Sequence, residues 1–249
     1  MRRAPLLSRL LARSALPLSR GLATAVKRTD KGSVAGTMMD YPLTMNHFFH
    51  RAEQLFYDKS IITNTANKGI ERTTYGDWAV RTRKLGGILD NLGVGVGARV
   101  GTFAWNTARH LEAWFGVPCA GRVLHTLNIR LFPSQLTYVV NHAEDEVIIV
   151  DRSLLPQLWP HVDTFTSVKH ILVWDDGADV PIPNDPRVRD YEEMLAAAPA
   201  VDFSNDDEYA AASMCYTSGT TGDPKGVAYT HRSQFLHALG VPTLTLTLP

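Results

Sequence analysis

Apolar residues in this chain follow two rhythms: three-and-four spacing before residue 93, and after it short continuous runs alternating with that spacing. From Thr44, the segment TMNHFFHRAEQLF sets Phe48, Ala52, Leu55 and Phe56 on one helical face, with Thr44 as cap. TTYGDWAVRTRKLGGILDNLGV does the same with Trp78, Leu85, Ile88, Leu89 and Leu92, behind Thr74 as cap and Asp77 in the capping-pair position. From Arg99 the pattern predicts strand 99–105, helix 107–120, strand 123–127, helix 134–142 capped by Ser134, strand 146–150, helix 153–163 and strand 169–174. This alternation predicts an α/β fold of mostly parallel sheets with helices on both faces. Residues 175–208, rich in proline and acids, read as a surface connection around one short helix. AAASMCY then enters as a buried strand, a glycine-rich loop follows, and GVAYTH leaves as a second strand. VPTLTLTLP, residues 241–249, alternates in a way that could make one more strand.

At 249 residues, 45% hydrophobic and 20% charged, the chain is long enough to bury a sizeable core. The net charge is zero but uneven. Arg2, Arg3, Arg9, Arg13, Arg20, Lys27 and Arg28 give the first 28 residues seven bases and no acid, leaving 18 bases against 25 acids beyond them. An acidic body without a basic cluster argues against a nucleic-acid partner. Cys119 and Cys215 lie in apolar runs without CxxC spacing, so the sequence assigns neither a disulfide framework nor a metal site.

The leader MRRAPLLSRLLARSALPLSRGLATAVKR, residues 1–28, has the arginine, serine and leucine composition of a mitochondrial transit peptide, and the expected location is the matrix. RGLAT places processing after Leu22, and a disordered basic tail is the alternative. Arg9, Arg13 and Arg20 interrupt the apolar runs, which excludes a secretory signal, and no run approaches the roughly 20 apolar residues of a transmembrane segment.

Two other patterns mislead. GVGVGA, Gly93–Ala98, fits G-x-G-x-x-A, but a helix precedes it and a strand follows, the reverse of a dinucleotide fingerprint, so it reads as a turn. His47 and His50 are three apart without a further ligand nearby and read as a solvated face.

The chemistry concentrates in YTSGTTGDPKG, Tyr216–Gly226. Converging backbone N–H groups hold anions well, and Gly219, Gly222 and Gly226 give the backbone freedom to converge. Thr217, Ser218, Thr220 and Thr221 add hydroxyl donors, Lys225 adds one mobile positive charge, and together they can wrap a polyphosphate. Asp223 would repel phosphate and is expected to face solvent in an Asp-Pro turn. The triphosphatase P-loop, G-x-x-x-x-G-K-[ST], is excluded, because here Lys225 precedes Gly226 and a strand follows.

This stretch resembles the signature loop of the adenylate-forming acyl-CoA synthetase and luciferase superfamily. DYPLTMNHFFHRAEQLF, TTYGDW, HTLNIRL and EVIIVD resemble, in the same order, the early part of its fatty-acyl-CoA synthetase branch. The resemblance covers residues 38–239 and implies the N-terminal part of the large domain of such an enzyme, with 240–249 as an atypical tail. It implies that Thr217, Ser218, Gly219, Thr220, Thr221, Gly222 and Lys225 hold the phosphates of ATP, with Lys225 as the catalytic contact. A carboxylic acid, fatty in this branch, then attacks the α phosphate to give an acyl-adenylate and pyrophosphate, with Mg2+ accompanying ATP, and coenzyme A takes the acyl group.

Members of that family are much longer. Their acyl pocket, most of the adenine site, the magnesium-holding acid, the ribose-binding aspartate and the lid lysine find no position here. Two expectations follow: a ligase truncated in this chain and inactive alone, or a noncatalytic fragment that binds nucleotide or pairs with another subunit.

Overall fold

The computed structural model describes residues 41–217 and 222–247 together with Gly32, Val34 and Met38; the basic leader and positions 218–221 lie outside the described residues. Contacts divide the chain into Met1–Tyr41 and Pro42–Pro249, and the second unit carries the sheet.

A continuous apolar run becomes a strand when both its faces find cover. The run at β5 (Asp145–Asp151) does: Val147 and Ile149 join one core, Ile148 and Val150 the other, and all four are fully buried. Around it stand β3 (Arg99–Phe103), β4 (Val123–Thr126), β6 (His170–Trp174), β7 (Val188–Asp190), β8 (Ala211–Thr217) and β9 (Lys225–Thr230), in the order β7-β6-β5-β3-β4-β8-β9. Every pairing is parallel except the last, β8 with β9. One face packs on α2 (Tyr75–Asn91), α3 (Ala108–Cys119) and α6 (Tyr191–Ala197), through Leu85, Ile88, Val117 and Leu195. The other packs on α4 (Pro133–Ala143) and the short α5 (Leu155–Leu158), through Leu136, Val140 and Leu158. From β3 the chain steps to β4 on one side and then crosses to β5 on the other, so the carboxyl ends of β3 and β5 form the switch point at which such sheets accept ligands. β8 ends on that same edge, beside β4.

Helices on both faces of a mostly parallel sheet are as expected, and several local expectations are corrected. α1 (Asn46–Leu55) buries Phe49 against Trp78 and Phe203, while Leu55 and Phe56 are exposed. With adjacent phenylalanines, spacing alone does not select the buried one; the aromatic neighbours do. Thr44 is buried and does not cap, and Met45 at that position makes no side-chain cap. Thr74 does cap α2, accepting the Asp77 N–H at 3.1 Å. α4 opens with Pro133 at its first position, placing Ser134 inside the helix. The segment 153–163 is broken: α5 lies between 3-10 turns at Arg152–Leu154 and Trp159–Thr164, with prolines at 156 and 160 removing backbone donors. The acidic connection is more than surface, because Tyr191 and Phe203 are buried.

The antiparallel hairpin β1 (Ser60–Thr65) and β2 (Gly69–Thr74) was not expected, its polar residues giving no alternation to read. The alternating tail is not a strand either. α7 (His231–Thr247) runs through it, launched from Thr230, whose hydroxyl accepts the Ser233 N–H at 3.1 Å, and an established helix propagates at one hydrogen bond per residue. GVGVGA is indeed a turn between α2 and β3, with φ of 69° at Gly93 and 77° at Gly97. Among the described residues no helix is long and apolar enough to cross a membrane.

Candidate functional site

The glycine loop joins β8 to β9, and its two ends face one another. Thr217 pairs with Lys225 and Tyr216 with Gly226 in an antiparallel ladder, so the loop leaves and returns at one mouth on the carboxyl edge of the sheet. Thr217 and Lys225 are exposed there, and Lys225 pairs with no acidic side chain among the described residues. Gly222 has φ of 91°, the left-handed conformation that a side chain resists, and Asp223 is exposed. Of the expected phosphate-holding set, the structure therefore brings Thr217 and Lys225 to one mouth, with Gly222 three residues before Lys225, while Ser218, Gly219, Thr220 and Thr221 lie outside the described residues. Gly226 serves a different purpose from the expected flexibility: a Cβ there would lie 3.1 Å from Cζ of Tyr216.

Four side chains that the sequence did not single out surround the root of this loop. The Tyr216 hydroxyl lies 2.6 Å from Nδ1 of His142 on α4, and its ring packs 5.2 Å, centroid to centroid, from that of His125 on β4. His125 is 1% exposed, and its Nδ1 lies 2.8 Å from Oδ2 of Asp145, which is 0% exposed. The two reach one another across β3 because the residue between them is Gly101, where a Cβ would sit 3.2 Å from the carboxylate. Burial pushes the Asp145 carboxyl above its ordinary value against the pull of His125. Burial, then the nearby Asp145 charge, also raises the Tyr216 phenol. A histidine inside the apolar run of β4 was the one available signal, since Asp145 sits between Glu144 and Glu146.

At the switch point, Asp151 ends β5 fully buried, its Oδ2 accepting the Trp105 N–H at 2.6 Å and its Oδ1 without a partner among the described residues. Burial pushes its carboxyl up to about 6. Nearby, an open cleft of about 330 Å3 runs between the β1–β2 hairpin and the α2–α3–α6 face. Its charges are largely internally matched. Arg81 forks to Glu112 at 2.5 Å and Glu192 at 2.7 Å, Tyr191 donates to Glu112 at 2.9 Å, and Lys68 meets Asp175 at 3.0 Å. Such a cleft offers little net attraction to an anion, in contrast to the Lys225 mouth. His47 meets the Pro42 carbonyl at 2.7 Å, and His50 meets Glu53 at 3.5 Å. Among the described residues no three His, Cys, Asp or Glu side chains converge as a metal site requires.

Comparison with known proteins matches residues 48–244 to the AMP-binding enzyme family. The chain is 40% identical over 212 residues to 3-methylmercaptopropionyl-CoA ligase of Ruegeria pomeroyi, covering 84% of this chain and 39% of that protein. It is 43% identical over 203 residues to the long-chain-fatty-acid–CoA ligase of Thermus thermophilus, covering 82% of this chain and 36% of that one. Its fold matches the anthranilate CoA ligase AuaEII, solved in complex with anthranoyl-AMP, at a TM-score of 0.68 and 21% identity over 78% of this chain and 36% of that one. The chain thus spans less than two fifths of AuaEII and of the Thermus ligase, and 39% of the Ruegeria one.

Proposed function

This chain belongs to the AMP-binding enzyme family, and on that premise we propose that it supplies the nucleotide-gripping part of an ATP-dependent acid–thiol ligase. In the reaction a carboxylate oxygen attacks the α phosphorus of ATP, the bond to the bridging oxygen breaks, and pyrophosphate leaves. The resulting acyl-adenylate then passes its acyl group to the thiol of coenzyme A with release of AMP. The observation that carries this reading is the mouth at which Thr217 pairs with Lys225, an exposed cation three residues after Gly222 in the left-handed conformation. Lys225 would neutralise β- and γ-phosphate charge as it shifts onto the leaving pyrophosphate, and the Thr217 hydroxyl would donate to a phosphate oxygen. Mg2+, entering with ATP, would supply further neutralisation of phosphate charge.

The acid we assign is a fatty acid, on the likeness of the early segments to that branch and the name of the Thermus relative. The leader composition supports import into the mitochondrial matrix, and N-terminal sequencing of organellar protein tests it: a chain still beginning at Met1 overturns that assignment.

Alone, the 249-residue chain is expected to bind ATP without completing either half-reaction, since orientation of the acid and exclusion of water need more than one loop. Incubating the chain with ATP, Mg2+, a panel of fatty acids and coenzyme A, and measuring pyrophosphate and thioester, tests this. Turnover above a Lys225→Ala control would refute it. A second reading, a noncatalytic nucleotide-binding subunit, is favoured by the exposed Val227 and Tyr229 along β9 and Leu236 on α7, which suit a further polypeptide surface.

A further inference from the structure

Strand β8 delivers the chain to Thr217 at the mouth, and a binding residue whose anchor is already fixed loses less freedom when ligand arrives. Tyr216 is the last residue before Thr217, and its ring is bounded on three sides. Gly226 leaves it room on the partner strand, His125 packs at 5.2 Å, and His142 holds its hydroxyl at 2.6 Å. Each boundary is itself rigid. Tyr138 stacks on the His142 imidazole with centroids 5.3 Å apart and planes at 28°, and α4 is anchored through the buried Leu136, Val139 and Val140. His125 is tied to Asp145 across Gly101 and is buried.

We propose that His142 is a positioning residue for nucleotide binding: through the Tyr216 hydroxyl, with the His125–Asp145 pair beneath the same ring, it fixes the point and direction in which the phosphate loop leaves the sheet. The proposal rests on the nucleotide reading of that loop. His142 touches no phosphate itself. It acts by tying a helix on the α4 face of the sheet to the residue next to Thr217, so that the mouth is set before ligand arrives.

The test is titration of the full chain with Mg-ATP and, separately, with inorganic pyrophosphate, comparing wild type with Tyr216→Phe, His142→Ala, the double variant and His142→Asn. Phenylalanine keeps the ring and removes only the hydroxyl, and asparagine places a side-chain amide where Nδ1 stands. Tyr216→Phe and His142→Ala should each weaken binding roughly three- to tenfold, the double variant should lose no more than either single, and His142→Asn should recover most of the loss. Thermal midpoints should stay close to wild type, because the bond is at the surface. If Lys225→Ala abolishes binding while Tyr216→Phe and His142→Ala leave it unchanged, the positioning role is overturned and the nucleotide reading stands. Additive losses that track the thermal midpoint also overturn it, in favour of a purely structural bond. If a folded wild-type chain binds neither ligand, the nucleotide reading fails and takes this proposal with it.

Discussion

The ring of Tyr216 occupies the space that a side chain at Gly226 would need, a Cβ there lying 3.1 Å from Cζ and 3.3 Å from the hydroxyl oxygen. Gly226→Ala should therefore make the ring give by a few tenths of an ångström against His125 and His142, costing about 1 kcal/mol, the low end of overpacking. Urea unfolding measures this. Adding Tyr216→Ala to the alanine variant should remove the clash, so the double variant should cost less than the sum of the singles.

Lys225 carries the shifting phosphate charge in the proposed reaction. In any longer ligase that contains this chain, Lys225→Ala should slow ATP–pyrophosphate exchange by roughly 10²-fold or more while leaving acyl binding nearly unchanged. An unaltered exchange rate would remove Lys225 from the chemistry.

Asp151 gives stability a pH dependence whose sign is fixed by its environment. Its carboxyl is raised from 3.8 to about 6, so between those values the folded chain holds a proton that the unfolded chain has released. Raising the pH through this window should weaken folding, by about 3 kcal/mol at most, with no further change above it. Asp151→Asn should flatten that slope while still accepting the Trp105 N–H. Burial holds His231 below its ordinary value and acts in the opposite sense, weakening folding as pH falls below 6.5. The difference between parent and Asp151→Asn profiles, from denaturant midpoints at each pH, isolates the aspartate.

Arg81 is the hub of the α2–α3–α6 face. Burial works against its charge, but the hydrogen bonds to Glu192 and Glu112 outweigh that and hold the guanidinium above its ordinary range. Arg81→Met would leave Glu112, buried at 4% side-chain exposure, without a cationic partner though still accepting from the Tyr191 hydroxyl, at a cost of about 3 kcal/mol. Glu192→Gln, at a residue 42% exposed, should cost under about 1 kcal/mol. Equal losses in the two variants would mean that burial is not what sets the value of the pair.

The parts of this molecule legible in its sequence are those written contiguously. The sheet could be read because runs such as EVIIVD must be covered on both faces, and the strand–loop–strand order around Thr217 and Lys225 because it is one short segment. What could not be read is what the fold assembles from afar. Nothing in the spacing of residues 101, 125, 142, 145 and 216 shows that they meet, because their proximity depends on strand order and on a crossover. The face of α1 was ambiguous for a related reason: Phe48 and Phe49 are equally apolar, and the distant Trp78 and Phe203 decide between them.

Gly101 lets Asp145 and His125 meet over a strand that belongs to neither. The apolar runs on either side would tolerate sliding, since Val147 to Val150 present oil to both faces of the sheet. A slip of one residue in β4 or β5 turns every side chain over. His125 or Asp145 would then point into the cluster around Leu85 and Val117, stripped of its partner, and a buried carboxyl or imidazole without one is costly. The pair thus works as a registration mark, because one alignment of the three strands brings the two side chains together.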